Sequence, residues 1–169
     1  MPALNLALAL ASQPAPSPAQ RSQALDALRE AVRRGSASRD VLATAGPAFR
    51  QLGEARTAAE TLERARAMGA PTAAILGELA QARWVTGDRA TAERRRGEAI
   101  ALDARDATLR YLYGLMLADA GRRDRAVEEF RQAAILGART SIAERARQRL
   151  RAMRAPVPEE RPAPGARVP

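Results

Sequence analysis

The residues able to do chemistry are few, and the usual catalytic types are missing. The chain of 169 residues has neither histidine nor cysteine. That removes the commonest general base, the thiolate nucleophile and the commonest metal ligands. Neighbouring carboxylates occur at Glu128-Glu129 and Glu159-Glu160, a grouping that acid–base work could use. They read instead as surface and tail residues with no pocket around them. No phosphate-cradling glycine loop and no G-x-S-x-G elbow is present. The expectation is therefore no catalytic residue, no metal site, no cofactor and no small-molecule substrate. What remains suits binding: 28 basic residues, all arginine, a net charge of +9, and a single tryptophan, Trp84.

The elements that must position these groups are announced by a period of 34. Gly53, Gly87 and Gly121 stand 34 apart, and Gly35, Gly69, Asp103 and Gly137 keep the same step. Two alanine columns share it, Ala58, Ala92 and Ala126, then Ala65, Ala99 and Ala133. That period is the length of a helix–turn–helix repeat that stacks into a solenoid. Aromatics make up 3% of the chain, so helices must pack closely on small side chains. The class expected is all-α. Units of 39–72, 73–106 and 107–140 follow, with helices at about 39–52, 55–68, 73–86, 89–102, 107–120 and 123–136. The first glycine ladder falls between the two helices of each unit, where a residue free of Cβ constraints is needed. The second falls after the second helix, where a left-handed residue would end it.

Nine of the eleven prolines lie in the first 18 or last 14 residues, which bounds an ordered body of 19–154. Residues 1–18 are expected to be irregular, so the helix of about 19–34 opens the array as a half repeat. A capping helix of 141–154 begins with a Ser141/Glu144 capping box, and a Pro-rich tail of 155–169 is expected to be disordered. Pro2–Ala11 resembles the apolar part of an export signal. If it is one, the protein is periplasmic or exported; otherwise it is cytoplasmic.

The columns resemble the tetratricopeptide repeat (TPR). Unit one matches through Leu42, Gly46, Phe49, Gly53, Ala58, Leu62 and Ala65. Unit two matches through Leu76, Leu79, Ala80, Gly87, Ala92 and Ala99. Unit three matches through Tyr113-Gly114, Leu117, Gly121, Ala126, Phe130 and Ala133. The resemblance implies a right-handed α-solenoid of three helix pairs with the half-repeat and capping helices at its ends. Arg83, Arg96 and Arg110 depart from it, standing where large apolar groups are usual, and Pro47 should kink its helix. The family's first helices line a concave groove that holds a peptide or protein. Transfer of those positions proposes Arg50, Gln51, Gln81, Trp84, Tyr111, Leu115 and Asp119 as partner-binding residues. Trp84 and Tyr111 are the candidate anchors, because aromatics dominate binding hot spots; both could instead pack as core. The function implied is a protein-interaction scaffold or assembly adaptor, and in the envelope this would serve pilus or secretion complexes.

The competing expectation is a binder of nucleic acid or anionic membrane through arginines on the outer face. The clusters are Arg94-Arg95-Arg96, Arg122-Arg123 with Arg125, and the six arginines from Arg139 to Arg154. No aromatics interleave with them, so solvated helix faces are the default, and neither partner is expected.

Overall fold

The computed structural model describes residues 2–159, and every regular element among them is an α-helix. In chain order these are α1 (Pro2–Ala11), α2 (Pro18–Arg34), α3 (Arg39–Gln51), α4 (Ala55–Ala67), α5 (Ala73–Val85), α6 (Arg89–Leu102), α7 (Ala107–Asp119), α8 (Arg123–Leu136) and α9 (Ser141–Ala152). They divide into two compact units, Met1–Leu102 and Asp103–Pro169.

Each start signal is local. Ser38, Thr72, Asp106 and Thr140 stand 34 apart, a column that glycine and alanine counting passes over. Each is an N-cap whose side-chain oxygen accepts from the first turn of the following helix. The cap of α9 is thus Thr140, accepting from Ala143 N at 3.3 Å, one residue before the capping box expected at Ser141.

The turns within pairs behave as the first glycine ladder requires. Gly53, Gly87 and Gly121 have φ of 84°, 85° and 73°, a backbone that side chains rarely adopt. The second ladder works differently. Gly35 and Gly137 have φ of −98° and −85°, Asp103 is not left-handed, and Gly69, at 158°, lies far from the left-handed well. Gly35 and Gly137 are small because space is short. A Cβ on Gly35 would meet Val41 Cγ1 at 2.7 Å, and one on Gly137 would meet Ala107 Cβ at 3.0 Å.

In the first unit, α1 pairs with α2, α3 with α4 and α5 with α6; α3 also packs on α1 and α2, and α5 on α3 and α4. In the second, α7 pairs with α8, and α9 lies against both. The alanine columns sit at these seams. All six alanines, and Ala24 ahead of them, are 0% exposed, so the helices bury their smallest side chains along these columns.

Residues 2–11 are a helix, which corrects the expectation of an irregular start and a half repeat. Leu4, Ala7, Leu10 and Ala11 are buried in the first unit's core. The prolines do not prevent this. Pro2 begins α1, Pro14 and Pro16 lie in the connection, and Pro18 occupies the first turn of α2, where its missing N–H costs nothing. Ser17 caps that helix and Gln20 completes the capping box. Pro47 does not end α3, which continues from Arg39 to Gln51 around it.

Of the expected tail, 155–159 contains no helix and Pro158 and Glu159 line a depression with Ala134, Ile135, Ala138 and Arg147. Residues 160–169 lie outside the described residues. Arg139 and Arg154, at φ of 66° and 50°, are the non-glycine residues in left-handed backbone among those described. Each costs about 1 kcal/mol relative to a relaxed conformation.

Candidate functional site: the cleft between α3 and α5

Two first helices meet in the first unit, and a cleft of about 240 Å³ opens between them. Its lining from α3 is Arg39, Asp40, Ala43 and Pro47; from α5 and its cap come Thr72, Ala74, Ile75 and Glu78. Ala43 and Pro47 precede the candidate Arg50 by seven and three residues and so share its side of α3, and Ala74 precedes the candidate Gln81 by seven on α5. The floor is apolar because small residues one helical turn apart, Ala43 and Pro47, face Ala74 and Ile75. That space admits one or two small side chains and is below the usual size of a small-molecule pocket.

Charge is arranged unevenly around this floor. Arg50 Nε and Nη2 donate to Glu78 Oε2 at 3.2 and 2.9 Å, tying α3 to α5. Both side chains are about a third exposed or less, so the pair contributes on the order of 1 kcal/mol or below. Arg39 donates to the Ala70 carbonyl. Asp40, exposed in the first turn of α3, carries a carboxylate with no ion-pair partner among the described residues. The cleft therefore offers a short apolar floor, a Glu78 wall neutralised by Arg50, and two charges outside that pair, the Asp40 carboxylate and the Arg39 guanidinium turned to the Ala70 carbonyl.

The candidate binding residues divide between the units. Arg50, Gln51, Gln81 and Trp84 belong to the first, and Tyr111, Leu115 and Asp119 to the second. Arg50 lies beside the cleft rather than in its lining, and its charge is engaged by Glu78, which does line it. Gln51 is exposed at the end of α3, and Gln81 is half-buried on α5. Trp84 is half-buried, with the Arg89 guanidinium 4.2 Å from its ring centroid, a cation–π stack that leaves one ring face covered. Of the two alternatives for Tyr111, anchor or core, the structure has the second. The residue is 8% exposed, with its ring 5.7 Å from that of Phe130, so it is core of the second unit. Leu115 is half-buried and Asp119 exposed. Glu78, Thr72 and Ile75 were not anticipated; an opposite charge facing Arg50 from the next first helix was the available signal for Glu78.

The arginine clusters divide between the units, Arg94-Arg95-Arg96 in the first and the others in the second. Arg95 bonds Glu98 at 2.9 Å and lies 3.5 Å from Glu63, while Arg96 is 0% exposed. Burial opposes the Arg95 charge, but Glu98 and Glu63 outweigh it and hold the pKa above the ordinary arginine value. Arg123 donates to the Met153 carbonyl and Arg125 to the Tyr113 hydroxyl. Arg110, standing where the repeat usually has a large apolar group, bonds Glu129 at 3.1 Å. No group of three potential metal-ligating side chains occurs among the described residues, and no helix there is long and apolar enough to cross a membrane.

No family model matches the chain, and no curated protein does. Solved structures do. A crystal structure of MamA superposes with a TM-score of 0.66 at 21% identity, over 80% of this chain and 77% of that one. YrrB, described as a TPR protein with an unusual peptide-binding site, superposes with a TM-score of 0.58 at 20% identity, over 90% and 81%. The fold is that of the tetratricopeptide repeat. A TPR fold accounts for the seams: successive first helices pack together, as α1, α3 and α5 do, and the cleft lies on the side these helices share.

Proposed function

We propose that this chain is a protein-interaction module that holds an extended peptide or protein segment along its first helices, with the α3–α5 cleft as a side-chain subsite. The observation that carries this is the coincidence of an apolar-floored depression with the groove-facing positions of a TPR fold. The peptide-binding site described for YrrB supports a polypeptide occupant. The exposed Asp40, with the Arg39 guanidinium turned away to the Ala70 carbonyl, favours a segment that presents a small apolar side chain next to lysine or arginine. Arg50, Gln51, Gln81 and Trp84 extend this surface in the first unit, and Leu115 and Asp119 remain candidates in the second. The chain works as an adaptor or assembly factor and performs no chemical step.

An envelope setting, the assembly of pili or secretion complexes, is the finer proposal. It rests on the export-signal likeness of Pro2–Ala11, a segment that contributes Leu4, Ala7, Leu10 and Ala11 to the first unit's core.

Peptide display tests the reading. Random 12-residue peptides are selected on the full chain and rescreened on an Ala43→Trp, Ala74→Trp variant whose indoles fill the cleft. Enriched sequences should carry a basic residue beside a small apolar one and lose at least ten-fold in affinity on the variant. Peptides that bind both proteins equally would show the cleft to be irrelevant.

A further inference from the structure

Arginine is spread over the whole chain, but its engagement is not uniform. In the first unit many arginines are paired: Arg50 with Glu78, Arg66 with Glu63, Arg95 with Glu98. Around α9 the pattern changes. Arg145, Arg149 and Arg151 are exposed on the helix, and Arg139 and Arg154 are exposed at its two ends. None of these five has an ion-pair or hydrogen-bonding side-chain partner among the described residues. The acid on this helix, Glu144, is taken by Arg147 at 2.6 Å. Apolar residues of α9 face inward, with Ala143, Ala146 and Leu150 at 0% exposure. The outward surface of the helix holds Ser141, Gln148 and Ala152 between the arginines.

The backbone makes a second, separate point. Both left-handed non-glycine residues, Arg139 and Arg154, flank this helix. At comparable turns this chain uses glycine, as at Gly53, Gly87 and Gly121. Arginine at 139 and 154 is therefore the more strained choice, and it places a charge at each end of an already unpaired row.

We infer that the outward face of α9, with Arg139 and Arg154, binds the phosphate backbone of a nucleic acid. Charge complementarity names the occupant. A phosphate chain needs regularly placed donors and no apolar anchor, and this face offers arginine donors with no large exposed apolar side chain among them. Arg145 and Arg149 lie one turn apart, about 6 Å along the axis. Insertion into a membrane surface would need apolar side chains on the same face, and those point into the core. A protein partner would be expected to find a buried aromatic or aliphatic anchor, which the face lacks. Binding would be independent of sequence, because no side chain here is placed to read base edges. It would also be independent of pH across the neutral range, because arginine does not titrate there. The expectation that nucleic acid is no partner, drawn from missing aromatics, applies to base stacking and not to phosphate contact.

The test uses the full chain and a fluorescein-labelled 20-mer, as DNA duplex and as the RNA duplex of the same sequence, read by anisotropy. With five phosphate contacts the affinity should fall roughly 500-fold between 50 and 200 mM salt. Arg145→Gln, Arg149→Gln, Arg151→Gln should reduce the slope of log affinity against log salt by about 2 to 3. The matching Arg→Lys variant should keep most of the affinity. Arg56→Gln, Arg64→Gln, Arg94→Gln removes the same charge from exposed positions in the first unit that have no ion-pair partner among the described residues, and should change little. Arg139→Gly, Arg154→Gly should weaken binding while raising the melting temperature, a combination that a purely structural role would not produce. Equal losses in the two triple glutamine variants would overturn the inference, since net charge alone would then explain binding. Binding to polyglutamate or anionic vesicles without binding to either duplex would overturn it as well, as would no binding at 50 mM salt.

Discussion

The packing account can be tested with one methyl group. A Cβ added at Gly46 in α3 would lie 2.4 Å from Leu62 Cγ, 2.7 Å from Cδ2 and 3.0 Å from Cδ1. Carbon atoms in contact prefer about 3.5–4.0 Å, so Leu62 would have to withdraw by about 1 Å. It is 0% exposed and has nowhere to go without disturbing α4. Overpacking of this kind costs about 1–3 kcal/mol. Three overlaps at a branch carbon place Gly46→Ala at the upper end, about 3 kcal/mol. Replacing glycine by alanine inside a helix returns about 1 kcal/mol, leaving a net loss of about 2 kcal/mol. Gly97 in α6 is the control, because nothing lies within 4 Å of an added Cβ there. Gly97→Ala keeps the propensity gain and should stabilise by about 1 kcal/mol. For a chain of this size the melting temperature should fall by about 4–8 °C in the first variant and rise by about 2–4 °C in the second. Calorimetry or circular dichroism reads both. If both variants rise, the close approach of α3 and α4 at this point is wrong.

Deleting residues 2–11 should cost about 3–6 kcal/mol, from loss of the nearly complete burial of Leu4 and Leu10; a urea midpoint matching the full chain would show α1 to be dispensable. Gly87→Ala and Gly121→Ala should each cost about 1 kcal/mol through backbone alone, since no atom lies within 4 Å of the added methyl; unchanged thermal midpoints would contradict the left-handed turns. Glu128 has its pKa below the ordinary glutamate value, chiefly because Gln132 donates to it, with Arg131 adding its charge against opposing desolvation. Its contribution is present above the unfolded-state pKa and is lost as pH falls through the depressed folded value. In an NMR titration Gln132→Ala should move the Glu128 midpoint upward, and an unmoved midpoint would remove that hydrogen bond as the cause.

How far the sequence could be read depended on whether one residue answered to one constraint. The turn glycines and the seam alanines each meet a single demand, backbone freedom or minimal volume, so their spacing showed directly. Helices α3 to α8 fall within a residue of the spans expected. Gly35 and Gly137 met a different demand from the one assigned, because a helix end and a crowded neighbour both favour glycine. Helix α1 was hidden by its prolines, which bracket it in the connection and at the start of α2 rather than interrupting it. Tyr111 stayed open between anchor and core because the 34-residue pattern does not say how wide an arc of α7 is covered. That helix packs against both α8 and α9, which buries a wider arc that takes in Tyr111 and Leu117. The cleft was legible only as positions. The Arg50–Glu78 pairing that neutralises its wall depends on how two helices separated by 28 residues come together, which no local pattern records.

Amide chemical-shift mapping on the full chain, with the best displayed peptide added, tests the central claim most directly. Saturable shifts should concentrate at Asp40, Ala43, Arg50, Ala74 and Glu78. Shifts confined to α4 or α9, with α3 and α5 unmoved, would contradict a polypeptide bound along the first helices.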